Sequence, residues 1–415
     1  VIGRIAILGG SSVYIPEFVM SLISHNVNVN QIVLYGRTGK KLEIVGEFCK
    51  RLVRKSGFPA ELSYTSDLEE AVSGAAYTLN HIRVGGMKAR LRDEKLPPQF
   101  GMIGDEGVGG GGLSNALRTV PIVLQLAERI EAVNPDTTFI NLTNPMGIVM
   151  QSLIQCSSLN AVGVCDMPAS VLRKAGQLLR CNPSELDFSF IGLDRLGWIQ
   201  DIKHEDRSVM GTVLEKLADE PDDELDTMVI ELFRMVPTRS VSLYFHMGEV
   251  VKQQQNMGRH RAEVLHEAEK QILKLYKDKS LSEIPELTRA RNAIWYEGTI
   301  VPFIMALESE EKRNVILNMR NGKSIRDLPE DASVEIPAAV SREGIEPRLV
   351  GSCPRFLKGL FIMIKESDRL AVEAVKHRSY EHALQSLAIN PFVPSLEKAK
   401  EFLDRVIKEE EIELH

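Results

Sequence analysis

Residues 4–8 form a short apolar run that ends at Gly9-Gly10-Ser11-Ser12, and a helical pattern opens at Pro16. Strand, glycine-rich turn and helix in that order constrain this chain more than any other feature. Glycines let the backbone approach a ligand closely, and a helix N-terminus offers free N–H groups to a phosphate. The pattern is not a full GxGxxG, so a plain tight turn stands beside the dinucleotide-binding reading. The same rhythm then repeats. A second strand at 32–35 is followed by an amphipathic helix at 40–55, in which Leu42, Val45, Phe48, Cys49 and Leu52 recur at helical spacing. Next come an acidic helix start at Asp67-Leu68-Glu69-Glu70, an apolar strand at 77–82, a long helix at 113–132, a strand at 138–142, a helix at 146–154 and a strand at 161–165. This alternation predicts an α/β fold with an N-terminal Rossmann-like, doubly wound parallel sheet.

After Pro168 the rhythm changes to a helix, a strand at 188–193, an antiparallel extension to residue 202, and mostly helices. Residues 1–167 are therefore read as a dinucleotide-binding domain and 168–415 as an α+β domain for substrate and oligomer contacts. With no low-complexity linker, the two should pack tightly, and 415 residues exceed what one core usually supports. Residues 88–112, with Pro97-Pro98 and Gly107-Val108-Gly109-Gly110-Gly111-Gly112, predict a long irregular loop of the kind that carries function.

Composition narrows the partner. A net charge of −7 with scattered basic residues argues against nucleic acid and anionic membranes, and no apolar run approaches the roughly 20 residues of a membrane span. A small-molecule ligand and a cytoplasmic setting are expected. The five cysteines show no CxxC spacing, so neither a disulfide framework nor a structural zinc site is indicated. Only Cys165 has distinctive neighbours, in Gly163-Val164-Cys165-Asp166-Met167-Pro168. Two tryptophans, Trp198 and Trp295, favour a small pocket over an aromatic sugar platform. At the end of the second strand the usual ribose-gripping carboxylate is missing. Gly36-Arg37, with Lys40 and Lys41 beyond, suits a 2′-phosphate and leaves NADP open beside NAD; solvated helix-start charges are the alternative.

Several blocks together carry a resemblance: RVGGMKARLRDEKLP, GMIGDEGVGGGGLSNALRTVP, INLTNPMGIV, VGVCDMP, IGLDRLGW, DLPEDASVEIP and NPFVPS. They resemble the family 4 glycoside hydrolases over nearly the whole chain, and CDMP looks most like the 6-phospho-alpha-glucosidase branch. The resemblance implies a fold like lactate and malate dehydrogenases, homodimers or homotetramers, and a glycosidase of a sugar or sugar phosphate that uses NAD and a divalent metal, commonly manganese. In this family hydride leaves C3, the C2 proton becomes acidic, the C1 bond is eliminated, water adds and the hydride returns. It also implies roles for residues. Gly9, Gly10, Ser11, Ser12, Arg37, Arg83 and Asn144 would hold the cofactor, and Arg90 and Asn144 the sugar. Glu106 would tune its catalytic neighbour, Asp166 would donate a proton, Cys165 would bind the metal, and Arg261 and Arg291 would take phosphate.

Three positions depart from the family. Relatives read GLNH where this chain has Gly192-Leu193-Asp194-Arg195, so Arg195 replaces the second metal ligand, and an arginine cannot bind the ion. Ser240 stands where relatives carry a tyrosine base, and Tyr244, one helical turn on, is the candidate substitute. Asp105-Glu106 replaces QE. Either Arg195 supplies the positive charge in place of the metal, with Asp194 and His204 as conceivable replacement ligands, or the chemistry has drifted toward a dehydrogenase or a binding protein for nucleotide or phosphosugar.

Overall fold

The computed structural model describes residues 1–37, 39–220, 225–291, 293 and 295–415. Its strands are β1 Ile2–Leu8, β2 Val29–Tyr35, β3 Glu61–Thr65, β4 Tyr77–Asn80, β5 Thr138–Asn141, β6 Asn160–Gly163, β7 Leu186–Leu193, β8 Leu196–His204, β9 Arg207–Ser208, β10 Val236–Pro237, β11 Arg313–Arg320, β12 Ser333–Ser341 and β13 Gly344–Pro347. The first seven helices are α1 Ile15–Ser24, α2 Gly39–Ser56, α3 Leu68–Val72, α4 Gly86–Lys95, α5 Gly109–Val133, α6 Met146–Cys156 and α7 Met167–Leu179.

β3-β2-β1-β4-β5-β6 pair in parallel, the doubly wound order in which chain direction across the sheet reverses between β1 and β4. Local sequence accounts for these elements. α2 buries Leu42, Val45, Phe48, Cys49 and Leu52 on one face and ends on Arg54 and Lys55, which complement its dipole. Asp67 caps α3 by accepting from the Glu69 and Glu70 amides at 2.9 and 3.3 Å. Apolar clusters then cover both faces of the parallel strands.

One expectation is corrected. Residues 88–112 do not form one long irregular loop: α4 occupies Gly86–Lys95, a 3-10 turn Pro97–Phe100, and α5 begins at Gly109. The glycine run is the tightly packed first turn of a helix. A Cβ on Gly110 would lie 2.8 Å from the Met102 sulfur, and one on Gly111 2.2 Å from the Asp105 carbonyl. The later residues are mainly helical as expected, and among them run strands that sequence reading did not mark. β11 and β12 continue the sheet antiparallel from β6 and carry it to β7, β8 and β10, making thirteen strands in one sheet among the described residues. β12 is buried along almost its whole length, as a strand covered on both faces must be. Among the described residues no helix is long and apolar enough to cross a membrane.

Candidate active site

The β1/β4 switch point opens into a cleft of about 850 Å³ whose lining includes Gly9, Ser11, Ser12, Arg83, Asn144 and Arg291. Gly9 has φ +88°, and a Cβ there would stand 2.3 Å from the His81 carbonyl oxygen; on Gly10 it would meet Leu34 Cβ at 2.6 Å. The amides of both glycines donate to the Tyr35 carbonyl, at 3.1 and 2.8 Å. Their role is close packing of the turn. Ser11, Ser12 and Tyr14 line the cleft beside them. The cradle fits a dinucleotide on two further counts: the Tyr14 hydroxyl is buried without a partner among the described residues, and the Arg291 guanidinium lies over the Tyr14 and Trp295 rings at 4.8 and 5.0 Å. Burial lowers the Arg291 pKa to about 10, aided by the charge of Arg83, so this site favours an arriving anion.

Arg37 is exposed and does not line the cleft, whereas Lys41 does, paired with Glu269. Glu269, from the helix Arg261–Tyr276, thus brings a carboxylate to the cleft lining, a contribution local pattern could not reveal. Arg261 donates to the Arg291 carbonyl at 3.0 Å and stays outside the cleft lining.

Glu106 is the hub of a polar cluster beside the cleft. It accepts from Arg83, accepts from Asn144 Nδ2 at 3.1 Å, and lies 3.5 Å from Arg90, whose Nε donates to Glu94 at 2.7 Å. Burial alone would raise the Glu106 carboxyl. The guanidinium groups of Arg83, Arg90 and Arg195 outweigh it and hold the carboxyl far below the usual range. A permanent anion at this point fixes two arginines and an amide in one geometry.

Cys165 and Asp166 follow β6. Asp166 occupies the N-cap position of α7, yet its side chain makes no capping bond, so its carboxylate is not spent on the helix. Cross-strand pairing places Gly163, Asn318, Glu335 and Gly192 in one row across β6, β11, β12 and β7. The row links the Cys165 corner to the turn Asp194-Arg195 between β7 and β8. Burial pushes the Cys165 thiol well up, reinforced by Glu335, Asp166 and Asp194. Burial likewise raises the Asp194 carboxyl to about 6, against the pull of Arg195. Glu335, buried at 1% exposure, was not singled out by sequence reasoning; only its place in DASVEIP signals it.

Ser240 is buried and donates to the Met167 sulfur at 3.0 Å, beside the Asp166 corner. Tyr244 is seated edge-on against Phe245 and Phe392, with ring centroids 5.1 and 5.8 Å away, and does not line the cleft. His204 pairs with Leu186 at the far end of the β7/β8 hairpin, about 25 Å of strand from Arg195 at ~3.3 Å per residue.

The donor set at Cys165 does not fit a divalent ion. The Arg195 guanidinium occupies the neighbourhood, 3.7 Å from Asp105 and 4.0 Å from Asp194. Among the described residues, the one trio of His, Cys, Asp or Glu whose ligand atoms converge within 4.8 Å is Cys181, Glu185 and His204. That trio contains none of the residues at the Cys165 corner.

Crevice, glycine cradle and sheet order define a Rossmann-like α/β protein with a polar site built against its dinucleotide cleft. The chain belongs to the family 4 glycosyl hydrolases: the Family 4 glycosyl hydrolase pattern matches residues 4–180 and that of the family's C-terminal domain matches 190–393. It is 30% identical to a probable 6-phospho-beta-glucosidase of Bacillus subtilis, over 98% of this chain and 96% of that protein. It is also 30% identical to the 6-phospho-beta-glucosidase BglT of Thermotoga maritima, over 98% of each. A solved structure of the Thermotoga maritima 6-phospho-beta glucosidase with NAD and glucose-6-phosphate superposes with a TM-score of 0.92 at 29% identity, covering 99% of this chain and 100% of that one. Malate dehydrogenase of Plasmodium falciparum shares the fold alone, with a TM-score of 0.51 at 13% identity over 97% of this chain and 99% of that one.

Proposed function

We propose that this protein hydrolyses the O-glycosidic bond of a 6-phosphoglucoside through transient, NAD-dependent oxidation of the sugar at C3. The observation that carries the reading is the Glu106 hub, which holds Arg83, Arg90 and Asn144 beside the dinucleotide cleft. Its likeness to a Thermotoga enzyme solved with NAD and glucose-6-phosphate supports it. When bound, the dinucleotide would supply reversible hydride acceptance at C3, the C3 hydroxyl proton passing to water and being regained when the hydride returns, so hydrolysis leaves the cofactor unchanged.

Residues of this chain do the rest. Ser11, Ser12 and the start of α1 hold the dinucleotide, and Arg291, stacked over the Tyr14 and Trp295 rings, meets anionic oxygen. Arg90 and Asn144, locked by Glu106, orient the ring hydroxyls. Once C3 is a ketone the C2 proton leaves to water, and Asp166 gives its proton to the departing C1 oxygen. Water then adds across C1 and C2. Residues 1–167 hold the cofactor, and 168–415 supply the sugar pocket and the contacts of a homodimer or homotetramer. Relatives act on both alpha and beta phosphoglucosides.

The test offers 4-nitrophenyl 6-phospho-alpha- and beta-glucosides to the protein with NAD. Nitrophenol and glucose 6-phosphate released in equal amounts, with no net reduced cofactor and with solvent deuterium entering C2, support the reading. Net accumulation of reduced cofactor makes the protein a dehydrogenase. Ligand-induced thermal stabilisation without product makes it a binding protein.

A further inference from the structure

We propose that the guanidinium of Arg195 is the resident cation of this site, touching the oxygen at C3 where a metal would otherwise be required, with Asp105 and Asp194 as its positioning residues. The proposal rests on the function proposed above. Four observations converge on it.

First, Arg195 sits in the two-residue turn between β7 and β8 with φ +70°, a conformation an L residue rarely adopts. Such strain persists where the surroundings hold a side chain for a purpose. Second, the guanidinium is confined by a wall built to admit it: a Cβ on Gly107 would stand 2.8 Å from Arg195 Nε, so glycine leaves the room the head group fills. Asp105, which lies alongside, is itself fixed by accepting from the Gly107 amide at 2.7 Å.

Third, the head group is held but not saturated. Its nearest carboxylates, Asp105 at 3.7 Å and Asp194 at 4.0 Å, are at ion-pair rather than hydrogen-bond distance. Arg195 Nε and Asp194 Oδ2 are both buried without a hydrogen-bond partner among the described residues. Buried donors are normally satisfied, so an orphan here points to a ligand oxygen that completes the set. Fourth, although burial works against the charge, Asp105, Asp194 and Glu106 around Arg195 outweigh it and keep the guanidinium charged.

The chemistry is coherent. A planar fork of N–H donors matches two neighbouring oxygens in one plane, such as those at C2 and C3. As the C2 proton leaves, the electron pair moves onto the C3 oxygen, where a preorganised guanidinium stabilises the charge. The same pair returns to form the C1–C2 double bond as the C1–O bond breaks.

The test uses the NAD-loaded protein. Metal analysis after dialysis should show no stoichiometric divalent ion, manganese should not raise the melting temperature, and a chelator should leave nitrophenyl phosphoglucoside turnover unchanged. Arg195→Ala should lower kcat about 100-fold or more, the loss typical of removing one donor to a developing oxyanion, with a smaller change in KM. Added guanidinium ion should restore part of the rate. Arg195→Lys, which keeps the charge without the fork, should fall between. Asp105→Asn should lower kcat rather than raise KM at an unchanged melting temperature. Arg195→His should create stabilisation by manganese that the wild type lacks. Stoichiometric metal in the wild type, chelator-abolished turnover restored by manganese, or Arg195→Ala turnover equal to wild type overturns the proposal. If the wild type turns over no phosphoglucoside, the proposed function fails. The metal titrations still decide the cation: stabilisation appearing only in Arg195→His upholds Arg195, and stabilisation in the wild type refutes it.

Discussion

Asn318 on β11 donates a hydrogen bond from Nδ2 to Oε1 of Glu335 on β12 at 3.1 Å, with both side chains at 1% exposure. The pair sits inside the row that joins Gly163 on β6 to Gly192 on β7, and so ties the strand leading to Cys165 to the strand leading to Arg195. Burial, with Asp194 adding to it, pushes the Glu335 carboxyl well above its usual range.

That shift sets the sign of a pH effect. A carboxyl raised in the folded state binds more protons than in the unfolded chain, so its contribution is present at low pH and is lost as pH rises through the folded pKa. Glu335→Gln resembles the protonated acid. It should keep stability within about 1 kcal/mol of wild type near neutrality and should gain on wild type as pH rises. Urea unfolding of both proteins across pH checks this; parallel stability curves would refute it.

Gly9→Ala places a Cβ 2.3 Å from the His81 carbonyl at φ +88°. The conformation alone costs about 1–2 kcal/mol, and the displaced turn should weaken NAD binding by about tenfold or more, since ~1.4 kcal/mol is a factor of ten. Titration of bound NADH fluorescence reads the affinity directly. Unaltered affinity would remove the cofactor from this cleft.

Replacing Glu106 with Gln leaves Arg83 and Arg90 without their shared anion. Removing one partner of a buried ion pair typically costs ~3–5 kcal/mol, and kcat/KM should fall with it. The Glu106 carboxyl is depressed in the fold, so the wild-type advantage should be complete above about pH 4.3, the unperturbed value, and should shrink as pH falls toward the folded pKa. Denaturation at a series of pH values would show the opposite slope if Glu106 were protonated in the fold.

His81 should contribute in the acid range as well. Burial lowers its pKa from 6.5 to about 3, with Arg291 and Arg83 adding to the effect. The unfolded chain therefore takes up the proton first, and stability falls with acidification between those two values, by at most ~1.4 kcal/mol per pH unit. His81→Asn should flatten this part of the profile. Thermal unfolding of the two proteins at pH values inside the window measures the difference; identical profiles would refute the assignment.

Tyr244 separates a packing role from a catalytic one. Its ring rests against Phe245 and Phe392. Tyr244→Phe should leave kcat within about threefold of wild type, well short of the ~10²-fold loss expected for a general base. Tyr244→Ala should destabilise by ~3 kcal/mol, as large-to-small changes among aromatics do. A large loss of kcat in the Phe variant would make the hydroxyl catalytic after all.

The parallel half of the fold was legible because its signals are local. Each strand, the α2 stripe and the Asp67 cap depend on residues within a few positions of one another. The corner Cys165-Asp166 was legible for the same reason, since Met167-Pro168 opens a helix directly behind a strand. The glycine run was misread because a glycine that serves packing looks in sequence like one that serves a loop, and only Met102 and Phe402 pressed against it tell them apart. β11 and β12 escaped notice because a fully buried strand shows no alternation to distinguish it from a buried helix.

The sequence by itself determined the doubly wound half, the position of the glycine turn and the three residues that depart from the family, Asp105, Arg195 and Ser240. Tertiary structure alone decided that Glu106 gathers Arg83, Arg90 and Asn144, that Glu269 reaches Lys41 across 228 positions, and that Glu335 lies between the two halves of the site. The physical reason is range. Periodicity and capping are settled within a turn or a strand, whereas strand register and buried charge depend on which distant segments the sheet brings side by side.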